Sequence, residues 1–259
     1  HASGNFRSLL IDITHDPAMI LYLNTQQNRR GSPNENYARE LLELFTLGTG
    51  RYTEKDIKEV ARALTGLSVD LETGRYIFRR GQHDGGVKHI LGRKGRFGAE
   101  DVVDIILLQP RSGEFICTKL WEYFAYPEPE QRIVRSLAAT LRRSRFELKP
   151  VLLEMFSSRD FYSEKARFAQ IKSPVELVVG TLRMLEIAPV DLAAMNAAMR
   201  QMGQQLMQPP SVKGWDGGLA WINTSTLYTR YNAVCALISG NDDDAARRRR
   251  GALRQRLED

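Results

Sequence analysis

Four polar side chains that could take part in chemistry recur on one face of a helix predicted over residues 33–47. Asn36, Arg39, Glu40 and Glu43 follow the spacing that places side chains on one side of an α-helix. Glu40 and Glu43 could share a cation, and either carboxylate could act as a general base. On a solvated surface the same residues would form only weak ion pairs. The pattern leaves two interpretations open: an exposed polar face or a buried carboxylate–guanidinium network.

A second set of candidates lies in the glycine-rich loop 81–89. His83 could act as an acid–base group or as a metal ligand. Lys88 could bind an anion beside backbone amides that the glycines allow to turn. Asp84 follows His83 directly, although sequence neighbours need not touch. The alternative is a β-turn with solvated charges and structural histidines.

A third candidate set follows two prolines in a glycine-containing loop, where Lys213 and Trp215 lie two residues apart. A tryptophan in such a loop can stack on a sugar or a base, although a packing role is commoner. The candidate ligand-binding residues are therefore Asn36, Arg39, Asp84, Lys88, Lys213 and Trp215. The candidate catalytic residues are Glu40, Glu43 and His83.

The residue types in these sets also suit a divalent metal ion, which is the candidate cofactor. Histidine and carboxylate are common ligands of such ions. The chain contains no His-Glu-x-x-His pattern and no EF-hand loop. The tripeptide His15-Asp16-Pro17 has an alternative role as a helix stop followed by a cap. The candidate metal ligands are His15, Asp16, Glu40, Glu43 and His83.

Positive charge is concentrated in one short segment. Between Arg75 and Arg96 the chain has seven basic residues and one acidic residue, so this segment accounts for the whole formal net charge of +6. Such an excess favours an acidic protein or a cell-surface polymer as the partner. Nucleic acid is a weaker candidate, because no helix-turn-helix, zinc-finger or ribonucleoprotein signature is present. No apolar run approaches the ~20 residues of a membrane-spanning helix.

Helical periodicity predicts a mainly α protein with one multi-helix domain over residues 1–240. A small β-hairpin or loop insertion is predicted over about 67–98, and residues 241–259 are predicted to form a charged C-terminal helix. Ser32 and Glu35 fit a capping box for the helix over 33–47, and Gly48 fits its C-terminal cap. Cys117 and Cys235 lie in apolar helical patterns, which favours buried free thiols, although a single bridge stays open.

An ordered series of motifs along the chain resembles the bacterial domain-of-unknown-function family numbered 1800. The family usually has a tryptophan after its Thr-Gly pair, where this chain has Leu67. The resemblance implies a mainly helical protein and supplies no established catalytic residue. The motifs that carry it are His15-Asp-Pro17, residues 34–48, Tyr52-Thr-Glu54, Ala61-Arg-Ala-Leu-Thr-Gly66, His83-Asp84 with Lys88, Leu91-Gly92, Pro209-Pro210 and Lys213-Gly-Trp215.

The same resemblance implies an exported protein, periplasmic or extracellular, that is often encoded beside a phosphatase-like or sulfatase-like family. A protein of that kind is therefore a candidate partner. Members tend to be longer, with a further helical region upstream. Because the chain begins at His1 without methionine, we expect a fragment or a processed form. No signal peptide is visible in the sequence given.

Two functional hypotheses follow. In the first, the protein binds an anionic ligand or partner through the basic insertion, next to a buried helix that carries acids and arginine, with a metal ion as a candidate cofactor. In the alternative, it is a hydrolase acting on a phosphorylated, sulfated or polysaccharide substrate. Glu40 or Glu43 would then be the base or metal ligand, and His83 the acid–base group. Both hypotheses expect the polar face of the helix over 33–47 to lie near the His83 loop.

Overall fold

Local sequence signals set several helix boundaries in this chain. The Asn5 side chain accepts hydrogen bonds from the backbone N–H groups of Arg7 and Ser8 and so begins the first helix. Thr53 and Asp56 form a capping box at the start of the fourth helix. The computed structural model describes residues 1, 3–188 and 191–239. The chain divides into two compact units, residues 1–169 and the part from Gln170 onwards.

The described part of the first unit is mainly helical, with two small antiparallel hairpins, which confirms the predicted fold class. Short 3₁₀ turns occupy Thr25–Gln27 and Arg80–Gln82. The hairpins are β1 (Leu67–Asp70) with β2 (Arg75–Phe78), and β3 (Lys88–Ile90) with β4 (Arg93–Gly95). The helices are α1 (Phe6–His15), α2 (Pro17–Tyr22), α3 (Asn36–Glu40), α4 (Glu54–Ala63), α5 (Ala99–Leu107), α6 (Pro110–Phe124), α7 (Gln131–Arg143) and α8 (Leu148–Ser157).

The apolar stripes of these helices meet in one buried core. Ile57 and Val60 lie three residues apart on one face of α4, and both are fully buried. They share this core with Leu41, Leu42 and Ile106, which are also fully buried. Helix α4 is therefore fixed on its apolar side, and its polar side faces the β insertion.

The segment predicted as one helix over 33–47 changes geometry part-way along. After α3 it continues as a π-helix over Leu41–Thr46. The backbone N–H of Leu47 bonds the carbonyl of Leu42 at 2.9 Å, and the Thr46 hydroxyl donates to the carbonyl of Leu41 at 2.5 Å. Gly48 follows with a φ of +80°, which confirms the predicted glycine C-cap.

The predicted capping box at Ser32 is wrong, because the helix begins later. Ser32 instead pairs with Arg29 in an antiparallel β-bridge. The Asn34 N–H donates to the side chain of the buried Asn28 at 2.9 Å, and the Asn34 side chain accepts from the N–H of Asn36. These contacts hold the chain out of helical geometry until Asn36.

The first hairpin gives the insertion two distinct faces. Its register opposes Leu67 to Phe78 and Val69 to Tyr76. Because successive strand residues point to opposite sides, these four side chains share one face, and Ile77 lies on the other. The small β-hairpin predicted within about 67–98 is confirmed. The second hairpin was not predicted, and it lies in what the sequence indicates as a basic loop.

The second unit has its own small core in its described residues. Its helices are α9 (Pro174–Met184), α10 (Leu192–Gln201) and α11 over 224–239, with a 3₁₀ turn at Gly218–Trp221. Val178, Leu182, Met199 and Met202 are buried together. The C-terminal helix predicted over 241–259 lies outside the described residues, and the predicted division at residue 240 stays a prediction.

Both cysteines are free thiols, so the bridge that the sequence left open is absent. Cys117 is buried and Cys235 is partly buried. Burial raises the pKa of the Cys117 thiol to about 12. A thiol with so high a pKa is a packing group rather than a nucleophile.

Candidate functional site

Two of the four histidines of the chain line the same surface cleft, whose volume is about 460 Å³. His15 comes from the end of α1 and His83 from the loop after β2. Ala63, Leu67 and Ala99 contribute apolar surface. We call this site the histidine–aromatic cleft. Its principal side chains are His15, Tyr76, Phe78, His83, Glu100 and Asp101.

His83 is held by the residues that end α4. Its Nδ1 lies 2.9 Å from the carbonyl oxygen of Thr65. Because a carbonyl oxygen can only accept, Nδ1 carries the proton in this contact, and Nε2 of the neutral ring is the acceptor. Within the described residues, Nε2 has no hydrogen-bond partner. His83 therefore has a fixed tautomer and one ring nitrogen available to a ligand.

Gly66 allows Arg79 and His83 to pack closely against the backbone that follows α4. Its φ of +91° favours glycine, and a Cβ atom there would lie 2.9 Å from the carbonyl oxygen of Arg79 and 3.3 Å from the Cβ of His83. The Arg79 N–H donates to the Gly66 carbonyl at 2.8 Å. The end of β2 and the His83 loop thus pack directly on the backbone at the end of α4.

Each histidine packs against an aromatic ring of β2. The ring centroids of His15 and Tyr76 are 4.6 Å apart, and those of Phe78 and His83 are 5.4 Å apart. Phe78 remains 46% exposed, which leaves part of its ring open to solvent. The alternation of β2 places both aromatic rings on the cleft side of the hairpin.

The electrostatics of the cleft combine buried and exposed groups. Burial lowers the pKa of His15, an effect that the nearby Glu100 and Asp12 partly oppose. Burial and Glu100 raise the pKa of the Tyr76 hydroxyl. Glu100 is exposed in the first turn of α5 and has no hydrogen-bond partner among the residues that the structure describes. The cleft therefore offers the His15 imidazole, whose neutral form burial favours, and the Tyr76 phenol beside the exposed Glu100 carboxylate.

Asp101 is partly committed to the fold. One of its carboxylate oxygens accepts from the backbone N–H of Gly98 at 2.9 Å and so caps α5. The negative charge also complements the positive end of that helix. The second carboxylate oxygen is left for a ligand or for water.

A polar network on α4 binds the His83 loop. Arg62 donates to both carboxylate oxygens of Asp84, at 2.8 and 3.3 Å, and to Glu59 at 2.8 Å. The Arg62 guanidinium is the main reason that the pKa of Asp84 falls to about 2. The Asp84 N–H donates to the Thr65 hydroxyl at 2.8 Å. Asp84 is therefore an ionised anchor of the loop.

Lys88 is fully buried, at 0% exposure. Its ammonium group donates to the carbonyl oxygens of Asp84 and Gly86, the second at 3.2 Å. Burial lowers its pKa, whereas the charges of Asp84 and Glu59 act in the opposite direction. Lys88 therefore lies inside the loop, whereas the sequence analysis considers it as an anion-binding side chain. Its role as an anion ligand stays a prediction.

The acidic face of α3 and the π-helix forms a separate cluster. Arg39 donates to Glu54 at 2.8 and 2.9 Å and to Glu35 at 3.4 Å. Glu43 accepts from the Tyr52 hydroxyl at 2.8 Å. None of these residues lines the histidine–aromatic cleft. The expected meeting of this face with His83 is therefore not found.

The remaining members of the predicted site take different positions. Asn36 is exposed, and partial burial raises the pKa of Glu40. Asp16 accepts from the N–H of Met19 at 2.9 Å and caps α2, as its alternative role predicts. In the second unit, Lys213 forms an exposed ion pair with Asp216 at 2.6 Å, and Trp215 is partly buried.

The five candidate metal ligands do not converge. Of that set, His15 and His83 share the cleft, whereas Asp16, Glu40 and Glu43 lie elsewhere. Across residues 1, 3–188 and 191–239, no group of three or more His, Cys, Asp or Glu residues is arranged to hold a metal ion. The structure thus brings together one pair from the predicted ligand set.

Comparison with known proteins places the chain in a family. A family model described as "Protein of unknown function (DUF1800)" matches residues 1–258. The chain belongs to this family. No curated protein and no solved structure matches it. Among the described residues of this DUF1800 member, no helix is both long and apolar enough to cross a membrane.

Sequence reasoning missed four residues of the cleft in this DUF1800 protein: Tyr76, Phe78, Glu100 and Asp101. Two signals could have found them. The alternation along Arg75–Phe78 puts both aromatic side chains on one face of a strand. Gly98 with Asp101 three residues later marks the start of a helix, which puts Glu100 in its first turn. That these elements meet around two histidines could not be derived from either signal.

Proposed function

We propose that this DUF1800 protein binds an acidic polymer or an acidic partner through the basic surface of its β insertion. The observation that supports this is the exposure of six cationic side chains, none of which forms an ion pair with a described residue. We call these residues the insertion cations. They are Arg75, Arg79, Arg80, Arg93, Lys94 and Arg96.

Some arginines elsewhere in the first unit are paired with carboxylates. Arg7, Arg39 and Arg62 each bind a carboxylate at 2.5–2.8 Å. The insertion therefore combines an excess of positive charge with a lack of internal partners. Such a surface attracts polyanions over distances of about 10 Å at moderate salt and increases the rate of association.

The hairpins give this surface a fixed scaffold. The Arg62–Asp84 ion pair holds the chain between the two hairpins against α4, and the buried Lys88 ties that stretch of chain to β3. Fixing the cations in advance lowers the entropic cost of binding. In this proposal the basic residues of the insertion have two roles: Lys88 supports the loop, and the insertion cations contact the partner.

Polyanion binding can be tested with two probes, long-chain polyphosphate and polygalacturonate, by titration calorimetry at low and moderate salt. We expect the triple variant Arg79→Glu, Arg93→Glu, Lys94→Glu to lose at least about tenfold in affinity at low salt. Added salt should weaken binding of the unmodified protein.

The matched control reverses three exposed cations outside the insertion: Arg135→Glu, Lys149→Glu, Arg159→Glu. Its net charge equals that of the triple insertion variant. If both triple variants lose affinity equally, net charge alone drives binding and no specific surface exists. If neither loses affinity, the insertion does not bind polyanions.

A hydrolase acting on a phosphorylated, sulfated or polysaccharide substrate is the second candidate. The shared cleft of His15 and His83 favours it, because two imidazoles can serve as a general acid and a general base. Glu100 would replace Glu40 and Glu43 as the carboxylate of that site. Chromogenic phosphate esters, sulfate esters and glycosides provide the assay. Turnover that His83→Asn leaves unchanged would remove this histidine from the chemistry.

Export, the phosphatase-like or sulfatase-like partner and a divalent metal also belong to this proposal. Export and the partner rest on the family likeness. An acidic cell-surface polymer as ligand agrees with an exported location. Fractionation of cells that express the native protein tests its location. Metal analysis of the purified protein, with His83→Ala as the comparison, tests for a bound ion.

A further inference from the structure

We propose that the histidine–aromatic cleft binds one sugar ring of an acidic polysaccharide whose charged groups lie on the insertion cations. This inference rests on the proposed function and narrows its ligand from any polyanion to a polysaccharide. It is carried by two observations: a partly exposed aromatic surface, and a set of polar groups without partners on the same side of the hairpin.

The aromatic surface consists of rings held in fixed positions. Phe78 is 46% exposed and packs against His83, which the Thr65 carbonyl orients. Tyr76 packs on the ring of His15. The C–H face of a sugar packs on such rings, as apolar surfaces with polar edges pack on aromatic side chains generally.

The polar groups of the cleft match the hydroxyl groups of a sugar. His83 Nε2, the Tyr76 hydroxyl and the Glu100 carboxylate have no hydrogen-bond partner within residues 1, 3–188 and 191–239. The imidazole nitrogen and the carboxylate accept hydrogen bonds, and the phenol can donate or accept. A ring with several hydroxyls satisfies all three kinds of group.

Charge decides which part of the polymer enters the cleft. Glu100 and Asp101 would repel a carboxylate, sulfate or phosphate group placed beside them. The insertion cations attract such groups. The two surfaces adjoin along the chain, since Arg80 follows the cleft residue Phe78 by two residues and Arg96 precedes the cleft residue Gly98 by two, each within about 7 Å along the chain. The neutral face of a sugar ring therefore fits the cleft, while its anionic substituent points to the arginines.

Other classes of ligand fit less well. A small inorganic anion would meet the carboxylates of Glu100 and Asp101 without using the aromatic surface. An organic cation would have to approach through the positive field of the insertion. A purely apolar ligand would leave the polar rim of the cleft without hydrogen bonds.

Comparing the two probes separates the cleft from the insertion, because polyphosphate has charge but no sugar. We expect Phe78→Ala to weaken polygalacturonate binding about fivefold and to leave polyphosphate binding unchanged. Tyr76→Phe removes only a hydroxyl group and should weaken polygalacturonate binding about threefold. The triple insertion variant should weaken the binding of both probes.

Tyr123→Ala is the matched control, since Tyr123 is 67% exposed on α6 and does not line the cleft. It should change neither affinity. Thermal unfolding of each variant confirms that the fold is retained, and Tyr76→Phe keeps the test valid if Phe78→Ala does not fold.

Two results overturn the sugar site while leaving the proposed function intact. One is unchanged polygalacturonate affinity in both Phe78→Ala and Tyr76→Phe. The other is an equal loss of affinity for polyphosphate and polygalacturonate in those variants. The substitutions would then affect binding only by changing the structure of the insertion. Failure of the unmodified protein to bind either probe overturns the proposed function and the sugar site together.

Discussion

Replacing Arg62 with methionine tests whether its ion pair with Asp84 holds the His83 loop against α4. This contact, at 2.8 and 3.3 Å, is the main reason that the pKa of Asp84 falls from 3.8 to about 2. A shift of that size corresponds to about 2.5 kcal/mol at neutral pH. Because the Gly86 amide and Lys88 also favour the ionised carboxylate, we expect Arg62→Met to lower the free energy of unfolding by about 2 kcal/mol.

The pH dependence of this loss provides the sharpest check. A carboxyl group whose pKa is lowered by folding stabilises the fold fully above its unfolded pKa of 3.8 and loses that contribution as the pH falls through about 2. About half of the contribution is lost by pH 3. The difference between the two proteins should therefore shrink from about 2 kcal/mol at pH 7 to about 1 kcal/mol at pH 3. Urea unfolding followed by circular dichroism measures both values.

Arg132→Met is the matched control, because Arg132 also pairs with a carboxylate, that of Asp160, but its side chain is 67% exposed. Its loss should cost less than about 1 kcal/mol. A double-mutant cycle that adds Asp84→Asn isolates the energy of the Arg62–Asp84 pair. The reasoning is refuted if the cost of Arg62→Met is the same at pH 3 and pH 7, or equals that of the control.

Three further predictions follow from the same region. Gly66→Ala should destabilise the protein by about 2 kcal/mol or more in thermal unfolding, because a positive φ and a contact at 2.9 Å both oppose the new Cβ. Gly92→Ala is the control: Gly92 has a φ of +81° and open space around it, so this substitution should cost only about 1 kcal/mol for the unfavourable φ. Equal stability losses in the two variants would show that the contact with the Arg79 carbonyl oxygen does not contribute. Lys88→Met should cost about 1–3 kcal/mol and speed amide hydrogen exchange in residues 84–88, since two carbonyls lose their donor. Unchanged exchange would show that the lysine does not hold the loop. His15 should titrate below pH 6.5 by NMR, so stability linked to it falls as the pH drops below that value. Glu100→Gln should lower the pKa of His15 further, because it removes a nearby negative charge. An increase in that pKa would contradict this role of Glu100.

Elements whose signals are local could be predicted from the sequence. Thr53 and Asp56 cap α4, and Ile57 and Val60 form its buried stripe, as the sequence indicates. The β1–β2 hairpin follows from runs of strand-forming residues at 67–69 and 76–78, on either side of Gly74. In each case the residues that decide the structure lie within a few positions of one another, so periodicity and capping rules suffice.

Features that depend on distant contacts could not be predicted. The capping box at Ser32 fails because Asn28 takes the Asn34 amide and Ser32 joins a β-bridge. The burial of Lys88 runs against the strong tendency of lysine to stay exposed. His15 and His83 are distant in sequence, and only tertiary packing places them in one cleft. Glu40 and Glu43 suit His83 by residue type, but residue type does not determine which side chains meet in the folded chain.

The two motif regions that the sequence singles out are connected by α4 rather than by direct contact. Near its start, Glu54 binds Arg39 of the acidic cluster. Near its end, Arg62 binds Asp84 of the His83 loop. These two residues are about 12 Å apart along the helix axis, which explains why the acidic face and His83 do not meet.

Between those ends, the polar face of α4 holds the insertion residue by residue. Asp56 accepts from the N–H of Leu91, and Glu59 accepts from the N–H of His89, each at 2.8 Å. With Arg62 they form a ladder at a spacing of three residues, which follows one side of a helix. Because this face is bonded to the backbone of the insertion, its carboxylates are not available as a catalytic set. Their contribution to function is to fix where β2 and the His83 loop lie, and therefore the shape of the cleft.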